Sequence, residues 1–171
     1  ADSFAVAGDK QMLIDLKEFL YSKVQNDIFM AYFAKSTTAF ETPTTISTFM
    51  GKENFINIKK AAIFPIVHGI RSLALKEKIK ETTTIKRIQI LEQRKILDKD
   101  RAAELLEALE IVNTLRLRHQ IDLLQQNKPL SNEIDTNSLG KIERDLLKES
   151  FKIVNKLKKI VSYIFKLDKI F

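Results

Sequence analysis

The stretch DKDRAAELLEALEIVNTLRLRHQIDLLQQ (98–126) decides the fold class. It contains no Gly or Pro, and its apolar residues recur three and four apart, which is the period of an amphipathic helix and not of a strand. Asp98 stands just ahead of the first periodic residue as an N-cap, so the pattern predicts one long helix ending near Gln126. A helix of that length needs a partner of similar length to cover its apolar face. The segment opened by Ser138 supplies one, with a stripe through Leu139, Ile142, Leu146, Ile153, Leu157, Ile160, Ile164 and Leu167 at the spacing of a bundle seam. Between them NKPLSNEIDTN (127–137), with Pro129, reads as a loop, and the two long helices are expected to be antiparallel.

Working outward, KKAAIFPIVHGIRSLALKEK (59–78) carries Pro65, which a helix tolerates in its first turn. A regular helix is therefore expected from about Phe64 to about Lys78, after an irregular lead-in. ETTTIKRIQILEQRKIL (81–97) reads as a Thr-capped helix to about Lys95. Residues 9–35 read as a helical pair, with Asp9 as N-cap and a break at Asn26–Asp27. The pattern changes from Ser36 to Asn57, where Thr is dense and the β-favouring runs TTISTF and FINI flank GKEN. The expectation is a mainly all-α helical bundle with long antiparallel C-terminal helices and a small β-hairpin around residues 45–58. The content of 4 Gly and 3 Pro among 171 residues suits long helices and disfavours turn-dense β architecture.

Cysteine is absent and only two His occur, which excludes a disulfide framework and any thiolate site and argues against a metal centre. The lack of Cys fits a reducing cytoplasm. No apolar run reaches the roughly 18 residues of a membrane span. The chain starts without Met and runs straight into patterned sequence, as expected of a piece of a longer protein. The net charge of +7 is concentrated at one end: residues 138–171 hold nine Lys/Arg and four Asp/Glu. A basic helix can attract nucleic acid, but acids interrupt this run and no aromatic stacking platform accompanies it, so a solvated face is the favoured reading and nucleic acid is disfavoured.

On a wheel at about 100° per residue, Arg116 and His119 fall on the face of Leu105, Leu109, Val112 and Leu123, whereas Arg118 falls opposite. An inward guanidinium needs an acceptor, because an unpaired buried charge costs several kcal/mol. Two readings stay open. Arg116 forms a buried ion pair with Glu149, which the wheel puts on the apolar face of the last helix, or Arg116 and His119 line an interhelical cleft for an anionic group such as a phosphate. His68 and Arg71, one helical turn apart, join them in a basic pocket if the two helices pack together. No GxGxxG, GxxxxGK[ST], HExxH or GxSxG motif is present, and no catalytic constellation is visible.

Four segments, IFPIVHGIRSLAL (63–75), ETTTIKRIQIL (81–91), LRLRHQI (115–121) and SLGKIERDLLKESFKIVNKLK (138–158), together resemble the putative nucleotidyltransferase substrate-binding domain that closes a family of bacterial multidomain signalling proteins. In that family it follows a cyclic-nucleotide-binding-like domain, paired CBS domains and a nucleotidyltransferase-like domain related to the protein-PII uridylyltransferases. The resemblance implies that residues 59–171 are the helical substrate-binding domain. More loosely, through FAVAGDKQML (4–13), it implies that residues 1–58 close the nucleotidyltransferase-like domain, although Phe4 and Ala5 stand where family members often carry Arg and Pro. The Gly-Ser turn and acidic metal ligands of the catalytic part are absent from this sequence. The fragment is thus expected to have no catalytic activity or cofactor of its own, while the parent protein uses a nucleoside triphosphate and magnesium. The resemblance further implies a cytoplasmic accessory domain that positions a phosphate-bearing or protein substrate beside an upstream active site, with His68, Arg71, Arg116 and His119 as substrate-binding residues and the upstream nucleotidyltransferase-like and CBS domains as partners. The alternative is a helical interaction or oligomerisation module that touches no substrate.

Overall fold

The computed structural model describes residues 2–44 and 55–170. In chain order these form α1 (Lys10–Lys23), α2 (Asp27–Lys35), β1 (Phe55–Asn57), a π-helical turn (Lys59–Ile63) running directly into α3 (Phe64–Lys76), α4 (Thr84–Gln93), α5 (Lys99–Gln125), β2 (Glu133–Asp135), α6 (Lys141–Ile164) and the short α7 (Leu167–Ile170). The protein is mainly all-α with one small antiparallel sheet. The helix starts follow their side-chain signals. The carboxylate of Asp9 accepts from the Gln11 amide, the side chain of Asn26 from the Phe29 amide and Asp98 from the Arg101 amide. Pro65 sits in the first turn of α3, where its missing N–H removes no helical bond.

Helix ends carry no comparable signal. α3, α4, α5 and α6 are each followed, two residues on, by a left-handed residue, and these are Lys78, Lys95, Asn127 and Lys166 rather than Gly. After α3 the amide of Ile79 reaches back to the Ala74 carbonyl at 2.8 Å and that of Lys78 to the Leu75 carbonyl at 3.0 Å, the paired bonds of a Schellman ending.

The longest interface joins α5 and α6, and two ion pairs mark its register. Arg118 pairs with Glu143, and Lys156 lies 3.4 Å from Glu104. Fourteen residues separate Glu104 from Arg118 and thirteen separate Glu143 from Lys156, so the helices run antiparallel with nearly matched rise. The buried column of α6 is Leu147, Ser150, Phe151, Val154, Leu157 and Val161. Of the expected seam, Leu139, Leu157 and Leu167 are buried, but its part through Ile142 and Leu146 turns outward. Ile142 is 75% exposed and Leu146 39% exposed. Two apolar columns lie side by side on this helix, and packing selects the one containing Phe151. The start of α6 also differs from expectation. Ser138 belongs to a 3-10 turn and hydrogen-bonds the Asp135 carbonyl, while the Gly140 amide donates to Glu143 at 2.9 Å as the helix opens.

FINI does supply a strand. Its partner among the described residues lies in the loop between the long helices, with Phe55 opposite Asp135, Ile56 opposite Ile134 and Asn57 opposite Glu133. The TTISTF half of the expected hairpin falls almost entirely within 45–54, outside the described residues. Residues 36–44 are fastened to the bundle by polar bonds. Thr42 donates to the Ala61 carbonyl at 2.7 Å, and Lys158 reaches the Phe40 carbonyl at 2.6 Å. By contrast α1 buries none of its residues.

Candidate functional site

α3 and α5 each pack on α4, α6 and the π-helical turn and have little direct contact with each other. The four residues singled out in the sequence accordingly fall into two sets, and no hydrogen bond or ion pair joins the sets among the described residues.

In the first set, His68 is buried between two rings, its centroid 5.0 Å from Phe33 and 5.4 Å from Phe64. Its Nε2 donates to the Phe33 carbonyl at 2.7 Å, which ties α3 to α2. This bond fixes the neutral tautomer and leaves that nitrogen committed to the fold. Burial lowers the pKa of His68 below its ordinary value. The Phe33 carbonyl opposes that shift, Arg71 adds to it and Asp2 opposes it. The folded state thus disfavours the imidazolium. The stability from this site is complete above the ordinary pKa of about 6.5 and is lost as pH falls from there through the depressed value. Denaturant midpoints should decline as pH falls below about 6.5. In His68→Phe, where a ring of similar size keeps the stack, that slope should flatten. A slope unchanged by the substitution would assign the titration elsewhere.

In the second set, Arg116 Nε donates to Asn132 Oδ1 at 2.6 Å, and Gln120 approaches the same oxygen at 3.5 Å. The expected Arg116–Glu149 pair does not form. Glu149 is 63% exposed and bonds Lys152 on its own helix. In the observed register Arg116 stands level with about residue 145, roughly one turn from Glu149, and the rotation of α6 carries Glu149 about 130° from the centre of the buried column. An asparagine from the connecting loop takes the acceptor role instead. His119 is half-buried, with Nε2 enclosed and unpartnered. Arg118, read as solvated, is exposed, yet it is the arginine that binds the last helix, through Glu143.

A denser basic site lies at Arg71 and includes two residues that the sequence reading passed over. Arg87 of α4 is only 2% exposed. Its Nε donates to the Glu81 carbonyl at 2.7 Å, and its Nη2 donates to Asp2 Oδ1. The other oxygen of Asp2 lies 2.5 Å from Arg71 Nη2. One carboxylate therefore bridges two guanidinium groups from consecutive helices. Burial would raise the pKa of Asp2, but the hydrogen bond and charge of Arg87, reinforced by Arg71, hold it below its ordinary value. Even so, Arg87 Nη1 and Arg71 Nε are buried without an acceptor. Beside them the Tyr21 hydroxyl donates to the Ile79 carbonyl at 3.2 Å. A signal for Arg87 was present: on a helical wheel it shares the inward face of α4 with Ile88 and Leu91, as Arg116 does on α5.

Among the described residues no three or more His, Asp or Glu side chains gather to hold a metal ion. No described helix is long and apolar enough to cross a membrane. A family model described as a putative nucleotidyltransferase substrate binding domain matches residues 27–165, well over half of the chain. No curated protein and no solved structure matches the chain.

Proposed function

The chain belongs to the putative nucleotidyltransferase substrate binding domain family, and from that premise we propose that it seats a phosphate-bearing substrate beside a nucleotidyltransferase active site carried upstream in a cytoplasmic signalling protein. The observation that carries this reading is the convergence of Arg71 and Arg87 on a single carboxylate, where residues 2–8 meet the helical body. Two guanidinium groups held by helices form a preorganised receptor for phosphate oxygens, and Arg87 is desolvated enough for the interaction to be strong. His68 stands behind Arg71 and anchors its helix. Arg116, with Asn132, is a second polar position that a larger substrate could reach. The nucleoside triphosphate and its magnesium belong, in this reading, to the catalytic domain.

In the protein that joins this chain to its catalytic domain, Arg71→Gln should raise KM for the phosphate-bearing substrate about tenfold while changing kcat less, the pattern of lost uniform binding. An unaltered KM in a folded variant would sink the proposal.

A second reading, docking without substrate contact, is favoured by one observation. α1 and the segment before it expose Phe4, Val6, Met12, Leu16 and Phe19 and bury none of them. If docking is the whole function, Arg71→Gln leaves transfer kinetics intact, whereas Met12→Asp with Leu16→Asp abolishes association with the catalytic domain.

A further inference from the structure

The bridge at Asp2 holds less negative charge than its surroundings can neutralise. Arg71 and Arg87 bring two positive charges to one carboxylate. The nearby Glu81 carboxylate bonds the Thr82 amide and lies 3.9 Å from Lys86, which offsets its charge. Two buried guanidine nitrogens, Arg71 Nε and Arg87 Nη1, also lack acceptors. A phosphate supplies what is missing: a second negative charge and further oxygens for those donors.

The residue now in the site is held there lightly. No other hydrogen bond or ion pair among the described residues fastens residues 2–8 to the helical body. Phe4 is 77% exposed and Val6 87% exposed, so little apolar burial retains the segment. Gly8, at φ 86°, turns the chain into α1 with a backbone conformation that a side-chain-bearing residue adopts only at a cost. The N-terminal segment is thus a strand of chain pinned by one side chain.

We propose that Arg71 and Arg87 form a phosphate-binding site for which Asp2 is an intramolecular stand-in, so that a phosphate monoester or polyphosphate enters by displacing the N-terminal segment. This rests on the substrate-seating reading above and adds a gate to it. The site is closed by an internal carboxylate, and occupancy by phosphate is coupled to release of residues 2–8 toward whatever domain precedes them. The carboxylate reduces apparent affinity in proportion to the fraction of molecules in which it is seated.

The test is a titration of the 171-residue chain and its Asp2→Asn variant with inorganic phosphate and pyrophosphate at constant ionic strength, followed by amide NMR. Asp2→Asn should bind pyrophosphate about tenfold more tightly or better, as expected when a competing internal ligand is removed. In the unaltered chain, saturation should move the signals of residues 3–8 together with those around Arg71 and Arg87. Adding Arg87→Met to Asp2→Asn should abolish binding. Equal affinities in the two proteins overturn the gate and leave the site standing. No binding in either, with the amide spectrum of a folded protein, overturns both the gate and the substrate-seating role of these arginines. Should Asp2→Asn fail to fold, the unaltered chain still decides, because pyrophosphate binding without movement of residues 3–8 contradicts displacement.

Discussion

Phe151→Ala is expected to lower the unfolding free energy by about 3–5 kcal/mol, the range for truncating a buried aromatic side chain. Phe151 is 2% exposed and lies in the middle of the buried column of α6. In the register set by the Arg118–Glu143 and Glu104–Lys156 pairs it stands level with about Leu109 of α5, itself buried. Truncation removes the ring from the buried core of the bundle, and flanking Leu147 and Val154 are held by the same helix and cannot collapse into the space. The matched control is Leu146→Ala, one residue away from the column and partly exposed, for which a loss below about 1 kcal/mol is expected. Urea denaturation reads both through the midpoint at constant slope. Comparable losses at the two positions would mean that the seam runs where Ile142 and Leu146 are, and that α6 is rotated from the orientation described.

The contrast between Phe151 and Leu146 marks where the sequence was legible. Periodicity and caps located the helices, because Asp9, Asn26 and Asp98 satisfy backbone donors through their own side chains and so announce a start locally. The ends were less visible, since Lys78, Lys95 and Lys166 take the left-handed position that Gly would have signalled. Choosing between adjacent apolar columns on α6 depended on what the rest of the bundle presents to it, which no local pattern contains. The Arg116–Glu149 expectation failed for the same reason: a wheel places a residue on a face, whereas a pair also needs the register between two helices, and the strand and 3-10 turn in the connecting loop set that register. At the candidate site, Arg71 was visible and Arg87 was open to the same wheel argument that singled out Arg116. Asp2 was not, because it is 85 residues from Arg87 and belongs to a segment without periodicity.

Arg87 offers the second large effect, and its substitutions separate packing from charge. Arg87→Ala should cost about 2–4 kcal/mol, as for other long buried side chains cut back to Cβ. Arg87→Met, which keeps much of the apolar volume and removes the buried charge together with its unmatched Nη1, should stay within about 1 kcal/mol of the unaltered chain, since replacing a buried ionic group by a hydrophobe of similar size is often neutral. Asp2 tolerates the change because its side chain is 33% exposed and keeps Arg71 as a partner. Thermal and urea unfolding of the two variants measure the difference. If Met costs as much as Ala, the bridge to Asp2 is itself a main source of stability and the arginine is explained by folding alone. If Met is nearly neutral, the fold does not require the charge, and a buried guanidinium retained at a half-satisfied site is accounted for by what it binds.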